Sequence, residues 1–312
     1  MIRAGRTLKT TLGALLSAGM VVAAAAQTPP RPGLTPPAPR AEPQANPKIK
    51  PKPKPAPRTT TRPAPPAAAQ PAPADATPAA SGPGLDPAYG AYQRGYYLTA
   101  FQQATKQVET QGDVKSMTLL GELYANGFGV QQDDNQAAAW YRHAAERGDR
   151  EAIFALAMFR MTGRAGPPDR EESAKLLAAA AKLGHIAATY NLGLLYLEGQ
   201  SFQQDFARAA ELFRSAAEAG SPEAQYALAT LYKEGRGVRK DAREATRWLA
   251  SAAAADYTDA QVEYAIALFN GTGTGKDEAG AAVFLQRAAR KGSPIAQNRL
   301  AQVFASGRGL PA

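Results

Sequence analysis

The strongest constraint on this chain is a period. Gly112, Gly148, Gly184, Gly220 and Gly292 lie on a 36-residue register, with Asp256 standing at the one position where glycine is missing. A second series, Gly127, Gly163, Gly199, Gly235, Gly271 and Gly307, runs unbroken on the same spacing. So does a third, Asp133, Asp169, Asp205, Asp241 and Asp277. A fixed period of this size marks one supersecondary unit repeated and stacked, because a single unit is too small to bury its own apolar face. Such an array presents an extended surface rather than an enclosed catalytic pocket, so the period bears on function as well as on fold.

One unit, 113–148, shows how the series work together. Apolar spacing predicts a first helix over 114–126 that ends at Gly127, followed by the loop Gly127-Phe-Gly-Val-Gln-Gln132. Asp133 stands where an N-cap is needed, its carboxylate accepting from free backbone N–H groups. A second helix over 134–147 then closes at Gly148, a residue able to take the left-handed conformation at a helix end. Asp169, Asp205, Asp241 and Asp277 are expected to cap in the same way. Pro222 and Pro294 fall in first turns, where proline is tolerated.

The helical period is explicit in Ala152, Ala155, Leu156 and Phe159, spaced i, i+3, i+4, i+7. Paired alanines recur in the second helix of every unit, from Ala144-Ala145 to Ala288-Ala289, and a small residue recurs in the first, at Gly121, Ala157, Gly193, Ala229, Ala265 and Ala301. Small residues at fixed positions set how closely neighbouring helices approach. The expectation is an all-α solenoid over 86–312, with units of about 113–148, 149–184, 185–220, 221–256 and 257–292 and a partial unit 293–312. A short helix around Ala88–Tyr92 and another over 97–110 precede the array.

The stretches Asp205-Phe-Ala-Arg-Ala-Ala-Glu-Leu-Phe-Arg-Ser-Ala-Ala-Glu-Ala-Gly220 and Ala224-Gln-Tyr-Ala-Leu-Ala-Thr-Leu-Tyr-Lys-Glu-Gly235-Arg-Gly-Val-Arg-Lys-Asp241 resemble Sel1-like repeats, long-loop relatives of the tetratricopeptide repeats. The family's Gly-x-Gly-Val loop is intact at 127–130 and 235–238 and departs at 163–168, 199–202 and 271–275. The resemblance implies a right-handed α/α superhelix that serves as a scaffold for protein partners. It also implies a non-enzymatic role, often exported and often at the bacterial envelope.

Charge divides the chain. The net charge of +9 is carried entirely by residues 1–85, since 86–312 holds 25 basic and 25 acidic residues. The repeat region therefore has no bulk electrostatic reason to bind nucleic acid. Residues 1–26 read as a signal peptide: Arg3, Arg6 and Lys9 precede an apolar run from Leu12 to Ala26, which ends in small residues suited to cleavage before Gln27. This places the protein in the periplasm or outside the cell; an uncleaved inner-membrane anchor is the competing reading. Residues 27–85 form a Pro/Ala/Lys-rich linker, expected to be disordered and extended, in which Lys48-Ile-Lys-Pro-Lys-Pro-Lys-Pro55 offers contact with cell wall or another anionic surface. With no cysteine in the chain, disulfides and cysteine metal sites are excluded.

Little else points to chemistry. His143 and His185 are the whole imidazole supply, and solvated or capping roles suit them better than a shared metal. Trp140 and Trp248 share a register with Leu176, Leu212 and Phe284, which makes them core positions before carbohydrate platforms. Gly271-Thr-Gly-Thr-Gly-Lys276 lacks both the spacing and the preceding strand of a phosphate loop. No Ser/His/Asp constellation, cofactor motif or metal ligand set emerges. A hydrolase is accordingly the third reading, behind a protein-binding scaffold and a polysaccharide- or peptidoglycan-associated assembly factor.

Framework registers repeat, while the positions facing away from the core on the second helices change from unit to unit. Lys175, Lys182, Glu211, Glu218, Arg247, Arg287 and Arg290 occupy them and are the candidate partner-binding residues, expected to line a concave groove. At the end of the sequence the period stops one residue short of its next aspartate. The expectation is either that the array continues or that the last helix presents an apolar face to a partner or second copy.

Overall fold

The computed structural model describes residues 86–307; the signal, the linker and the last five residues lie outside them. Among the described residues every regular element is an α-helix. They run in order α1 (Pro87–Gln93), α2 (Tyr97–Gln111), α3 (Val114–Asn126), α4 (Asp134–Ala145), α5 (Arg150–Thr162), α6 (Arg170–Lys182) and α7 (Ile186–Glu198). Then come α8 (Phe206–Glu218), α9 (Pro222–Glu234), α10 (Ala242–Ala254), α11 (Thr258–Asn270), α12 (Glu278–Arg290) and α13 (Pro294–Ala305). Each helix packs on its neighbours in sequence, most closely within a unit, α3 on α4 through α11 on α12. The result is the expected α/α solenoid: a layer of first helices (the odd-numbered ones from α3) beside a layer of second helices (the even-numbered ones from α4).

The hairpin within each unit depends on a pairing of sizes. Where the first helix carries glycine, the facing second helix carries an aromatic ring. A Cβ built on Gly121 would lie 2.6 Å from the Tyr141 ring, and one on Gly193 would lie 2.6 Å from Phe213. Where the first helix carries Ala157, Ala229 or Ala265, the same clusters hold Leu177, Leu249 or Leu285. Phe213, Leu177, Ala157 and Ala229 are all essentially without solvent exposure. Gly with an aromatic and Ala with leucine fill similar space, so the two axes keep one separation although the sequence changes.

The loop between the two helices closes by backbone alone. The amide of each capping aspartate donates back across it: Asp133 to the Tyr124 carbonyl (3.0 Å), Asp169 to Arg160 (2.7 Å), Asp205 to Tyr196 (3.1 Å), Asp241 to Tyr232 (3.0 Å) and Asp277 to Leu268 (2.9 Å). Because only main-chain atoms take part, replacing tyrosine by Arg160 or Leu268 on that register leaves the bond in place.

The loop's second glycine is held for two reasons. Gly237 has φ +68°, and a Cβ there would collide with the carbonyl of Phe206 at the start of α8, in the preceding unit. Gly273 has φ +69° and meets the Ala242 carbonyl in the same way. The 271–275 loop thus departs from the family pattern in wording but not in conformation. At 163–168 the departure is real. Ala165 takes φ +57° in the glycine's place, and the Arg164 guanidinium bonds both the Asp134 carboxylate and the Ala125 carbonyl (2.6 Å).

Units join through side chains that sequence reading did not single out. Gln225, Gln261 and Gln297 share a register, and each donates from Nε2 to the end of the preceding second helix, at Ala217 (3.1 Å), Ala253 (3.4 Å) and Ala289 (3.3 Å). Each of these carbonyls also accepts the backbone amide three residues on, from Gly220, Asp256 or Gly292, so the glutamine amide takes its second lone pair.

Two tests follow from this packing. Gly193→Ala should destabilise by about 1–3 kcal/mol through overpacking against Phe213, and adding Phe213→Leu should recover part of that loss. Denaturant melts of the two single variants and the double variant form a cycle whose coupling should be positive; strict additivity would dissociate the two positions. Gly237→Ala should cost at least about 3 kcal/mol, from left-handed strain plus collision. Gly112→Ala, with φ +63° but nothing within 4 Å of the new Cβ, should cost only the strain, about 1–2 kcal/mol.

Candidate functional site

All five capping aspartates sit at the starts of second helices, with side chains turned onto backbone amides. Asp133 accepts from Asn135 and Gln136, Asp169 from Glu172, Asp205 from Arg208, Asp241 from Arg243 and Glu244, and Asp277 from Gly280. Each such cap contributes about 1 kcal/mol. The first helices have a capping register of their own: Asp113, Asp149, His185, Ser221 and Ser293 each accept from an amide three residues on. Only its 36-residue recurrence could have revealed it, and it is easy to miss because three residue types share it.

His185 is therefore structural. Its Nδ1 accepts the Ala188 amide (3.0 Å), which fixes Nε2 as the donor to Glu151 (2.9 Å), and its ring stacks on Phe154 at 4.3 Å. His143 lies exposed beside Glu146 at 3.9 Å. Trp248 is buried with Arg247 over its ring at 4.5 Å, so it presents no platform for a sugar. No group of three or more metal-ligating side chains occurs among the described residues.

The seven candidate partner-binding residues all lie exposed on the second-helix layer. Three are engaged by their own helix: Lys175 with Glu171 (2.9 Å), Glu211 with Arg208 (2.7 Å) and Arg247 with Glu244 (2.7 Å). The hydrogen bonds in these pairs push Lys175 and Arg247 above their ordinary pKa values. As exposed, solvent-screened pairs they add little stability and are readily exchanged for an intermolecular partner. Lys182, Glu218 and Arg290 enter no ion pair among the described residues, and Arg287 lies over the Phe284 ring at 5.4 Å.

The array brings some of these residues together and separates others. Glu218 on α8 lies close enough to Arg247 on α10 to stabilise its charge. Lys175 lines a polar cleft of about 500 Å³ with Arg170, Gln200 and Phe202, one unit before Glu211. Lys175 and Lys182 on α6 and Arg287 and Arg290 on α12 belong to units three repeats apart.

The first-helix layer is built differently, with successive first helices touching directly. Thr118 donates to Asp149 (3.0 Å), Lys233 pairs with Glu263 (2.7 Å), and the rings of Tyr226 and Tyr257 lie 5.3 Å apart. The array thus has two chemically distinct faces.

The Sel1 repeat family model matches six consecutive stretches, 114–149, 150–185, 186–221, 222–257, 258–293 and 294–312. The chain belongs to the Sel1 repeat family. Among solved structures it is similar to a protective antigen of uropathogenic Escherichia coli strains displaying an SLR fold, at 28% identity and a TM-score of 0.65, over 71% of this chain and 50% of that one. It spans about half the length of that relative. It is also similar to a Sel1 repeat protein from Oxalobacter formigenes, at 27% identity and a TM-score of 0.63, over 72% of this chain and 90% of that one. Comparison with curated proteins gives no match. Sel1 repeat domains generally mediate protein–protein interaction, which agrees with a constant frame carrying variable exposed charges.

Asp256, where the glycine register breaks in this Sel1 repeat array, sits beside the candidate surface. It adopts φ +70°, a conformation that aspartate tolerates better than most residues. Its carboxylate accepts from Lys291 (2.6 Å) and Gln261 (2.7 Å), and these bonds hold its pKa below the ordinary value, with Arg287 adding to the effect. A depressed carboxylate stabilises the fold above its unfolded-state pKa and loses that contribution as pH falls through the folded value. Asp256→Asn keeps the backbone preference and removes the charge. Thermal melts should show it less stable than the parent at neutral pH, with the gap closing below about pH 4; a gap that does not change with pH would deny the ion pair a role.

Proposed function

We propose that this Sel1 repeat protein is a non-enzymatic interaction scaffold of the bacterial cell envelope, binding one or more protein partners through the exposed charges of its second helices. One observation carries this reading. Across the units the caps, loop closures and size-matched pairs recur, while Lys175, Lys182, Glu211, Glu218, Arg247, Arg287 and Arg290 alternate in sign on otherwise equivalent exposed positions. Selective pressure for folding alone gives no reason for alternating blocks of basic, acidic and basic residues, whereas complementarity to one extended partner does. Export rests on the N-terminal pattern of Arg3, Arg6, Lys9 and the alanine-rich run that follows. The description of the Escherichia coli relative as a protective antigen is in keeping with it.

A second reading, an assembly factor associated with polysaccharide or peptidoglycan, draws on the lysine–proline tract at 48–55. Deleting residues 27–85 separates the two. A scaffold keeps its protein partner without the tract, whereas a wall-associated factor loses retention on isolated cell wall.

The direct test is crosslinking of the full-length protein in its native envelope, with the partner identified by mass spectrometry. Combined Lys182→Glu, Arg287→Glu and Arg290→Glu substitutions should reduce the identified crosslink at least about tenfold while circular dichroism shows the helical fold retained. An unchanged crosslink would remove these residues from the interface. N-terminal sequencing of the recovered protein should begin at Gln27; an intact Met1 or a different start would contradict cleavage at that site.

A further inference from the structure

Two consecutive residues break the rules that every neighbouring unit obeys. Asp256 replaces the register glycine, and Tyr257 replaces the capping side chain at the start of α11. Asp113, Asp149, His185, Ser221 and Ser293 all cap at that position, whereas Tyr257 makes no capping hydrogen bond. Departures from local rules concentrate where a side chain is kept for another purpose.

What surrounds Tyr257 indicates the purpose. Its ring packs against Tyr226 of α9 at 5.3 Å. Tyr190 of α7, next along the first-helix layer, is 98% buried with its ring on Phe213, yet its hydroxyl makes no hydrogen bond within the protein. Burial holds that hydroxyl above its ordinary pKa, with Tyr257 and Glu223 adding to the effect. Glu223 and Asp259 stand one repeat apart in the first turns of α9 and α11. Glu223 receives only the Ser221 hydroxyl (2.9 Å), and no ion pair reaches Asp259 among the described residues.

The equivalent acid two units earlier is different. Glu151 is bound by His185 (2.9 Å) and Arg150 (3.4 Å), whereas the cation of the α9–α11 junction, Lys233, is taken by Glu263 (2.7 Å) and no ion pair among the described residues reaches Glu223 or Asp259. Burial and the nearby carboxylates hold the tyrosines neutral, raising Tyr257 to about 12, so their faces and O–H groups persist across physiological pH. Aromatic faces beside unpaired carboxylates are the chemistry that receives a cationic side chain.

We propose that Tyr190, Tyr226, Tyr257, Glu223 and Asp259 form a cation-accepting site on the first-helix layer that takes an arginine or lysine side chain from an extended segment of a partner protein. This rests on the scaffold reading and adds to it a second face and the chemistry of what docks there.

The test uses the full-length chain and two fluorescent Gly/Ser peptides, one carrying arginines and one carrying glutamates at the same positions, followed by anisotropy at low and high salt. The arginine peptide should bind, and should weaken as salt screens the carboxylates; the glutamate peptide should not bind. Tyr257→Ser restores the cap, so its melting temperature should be equal or higher while affinity falls at least about tenfold. Glu223→Gln with Asp259→Asn should also lower affinity by at least about tenfold, whereas Glu109→Gln on exposed α2 should not. If the two peptides bind alike, or if the site variants bind like the parent, the site is refuted. Should the envelope crosslink still depend on Lys182, Arg287 and Arg290 in that event, the scaffold reading survives; if both experiments fail, both readings fall.

Discussion

The packing of a small residue on each first helix against a large one on its second helix is the contact on which the rest of the array depends. A stack of units is regular only if every hairpin has the same thickness, because any error in axis separation accumulates along the solenoid. Gly121 with Tyr141 and Gly193 with Phe213 reach that thickness in one way, Ala157 with Leu177 and Ala229 with Leu249 in another. With separation fixed, the backbone closures from Asp133, Asp169, Asp205, Asp241 and Asp277 fall in the same place each time, and the glutamines at 225, 261 and 297 meet the ends of the preceding second helices. The constancy of the frame leaves its solvent-facing positions free to differ.

Departures from the frame fall into two kinds. Some are compensated locally. Ala165 takes a left-handed conformation where the loops at 129, 237 and 273 have glycine, and Arg164 from the same loop secures it to the preceding unit through Asp134 and Ala125. Asp256 does likewise, held by Gln261 and Lys291. Others lack any such compensation. Tyr257 forgoes the cap with no replacement bond, and no ion pair reaches Glu223 or Asp259 among the described residues. Tyr96 at the start of α2, ahead of the array, also lacks a cap, but from α3 to α13 every other helix start carries one, and there uncompensated departures are the better indicators of binding chemistry than the repeated residues are.

The two faces therefore suit different ligands. The second-helix layer carries long, exposed, loosely paired charges spread over several units, which matches an extended partner and a salt-sensitive association. The first-helix layer is more tightly packed and aromatic, with acidity concentrated at the starts of α9 and α11.

How much of this was legible in the sequence depends on whether a feature repeats. The fold class, helix ends, capping aspartates and small-residue register were readable because each recurs every 36 residues, and recurrence separates a framework residue from an accident. The core assignment of Trp248 followed from register, whereas the sequence left His185 between a solvated and a capping role and the structure makes it a cap. The glutamine ladder recurs only three times and the mixed first-helix caps use three residue types, so both stayed hidden. The Tyr257 site was beyond sequence reading for a different reason: its members come from three helices and are defined by which carboxylates have a cation nearby, a property of distance. The sequence by itself determined the repeating frame, because each unit's contacts are local and periodic. Only the tertiary structure decided which exposed groups are already paired and which face one another across units, because neighbours across a stack are set by packing geometry and not by spacing along the chain.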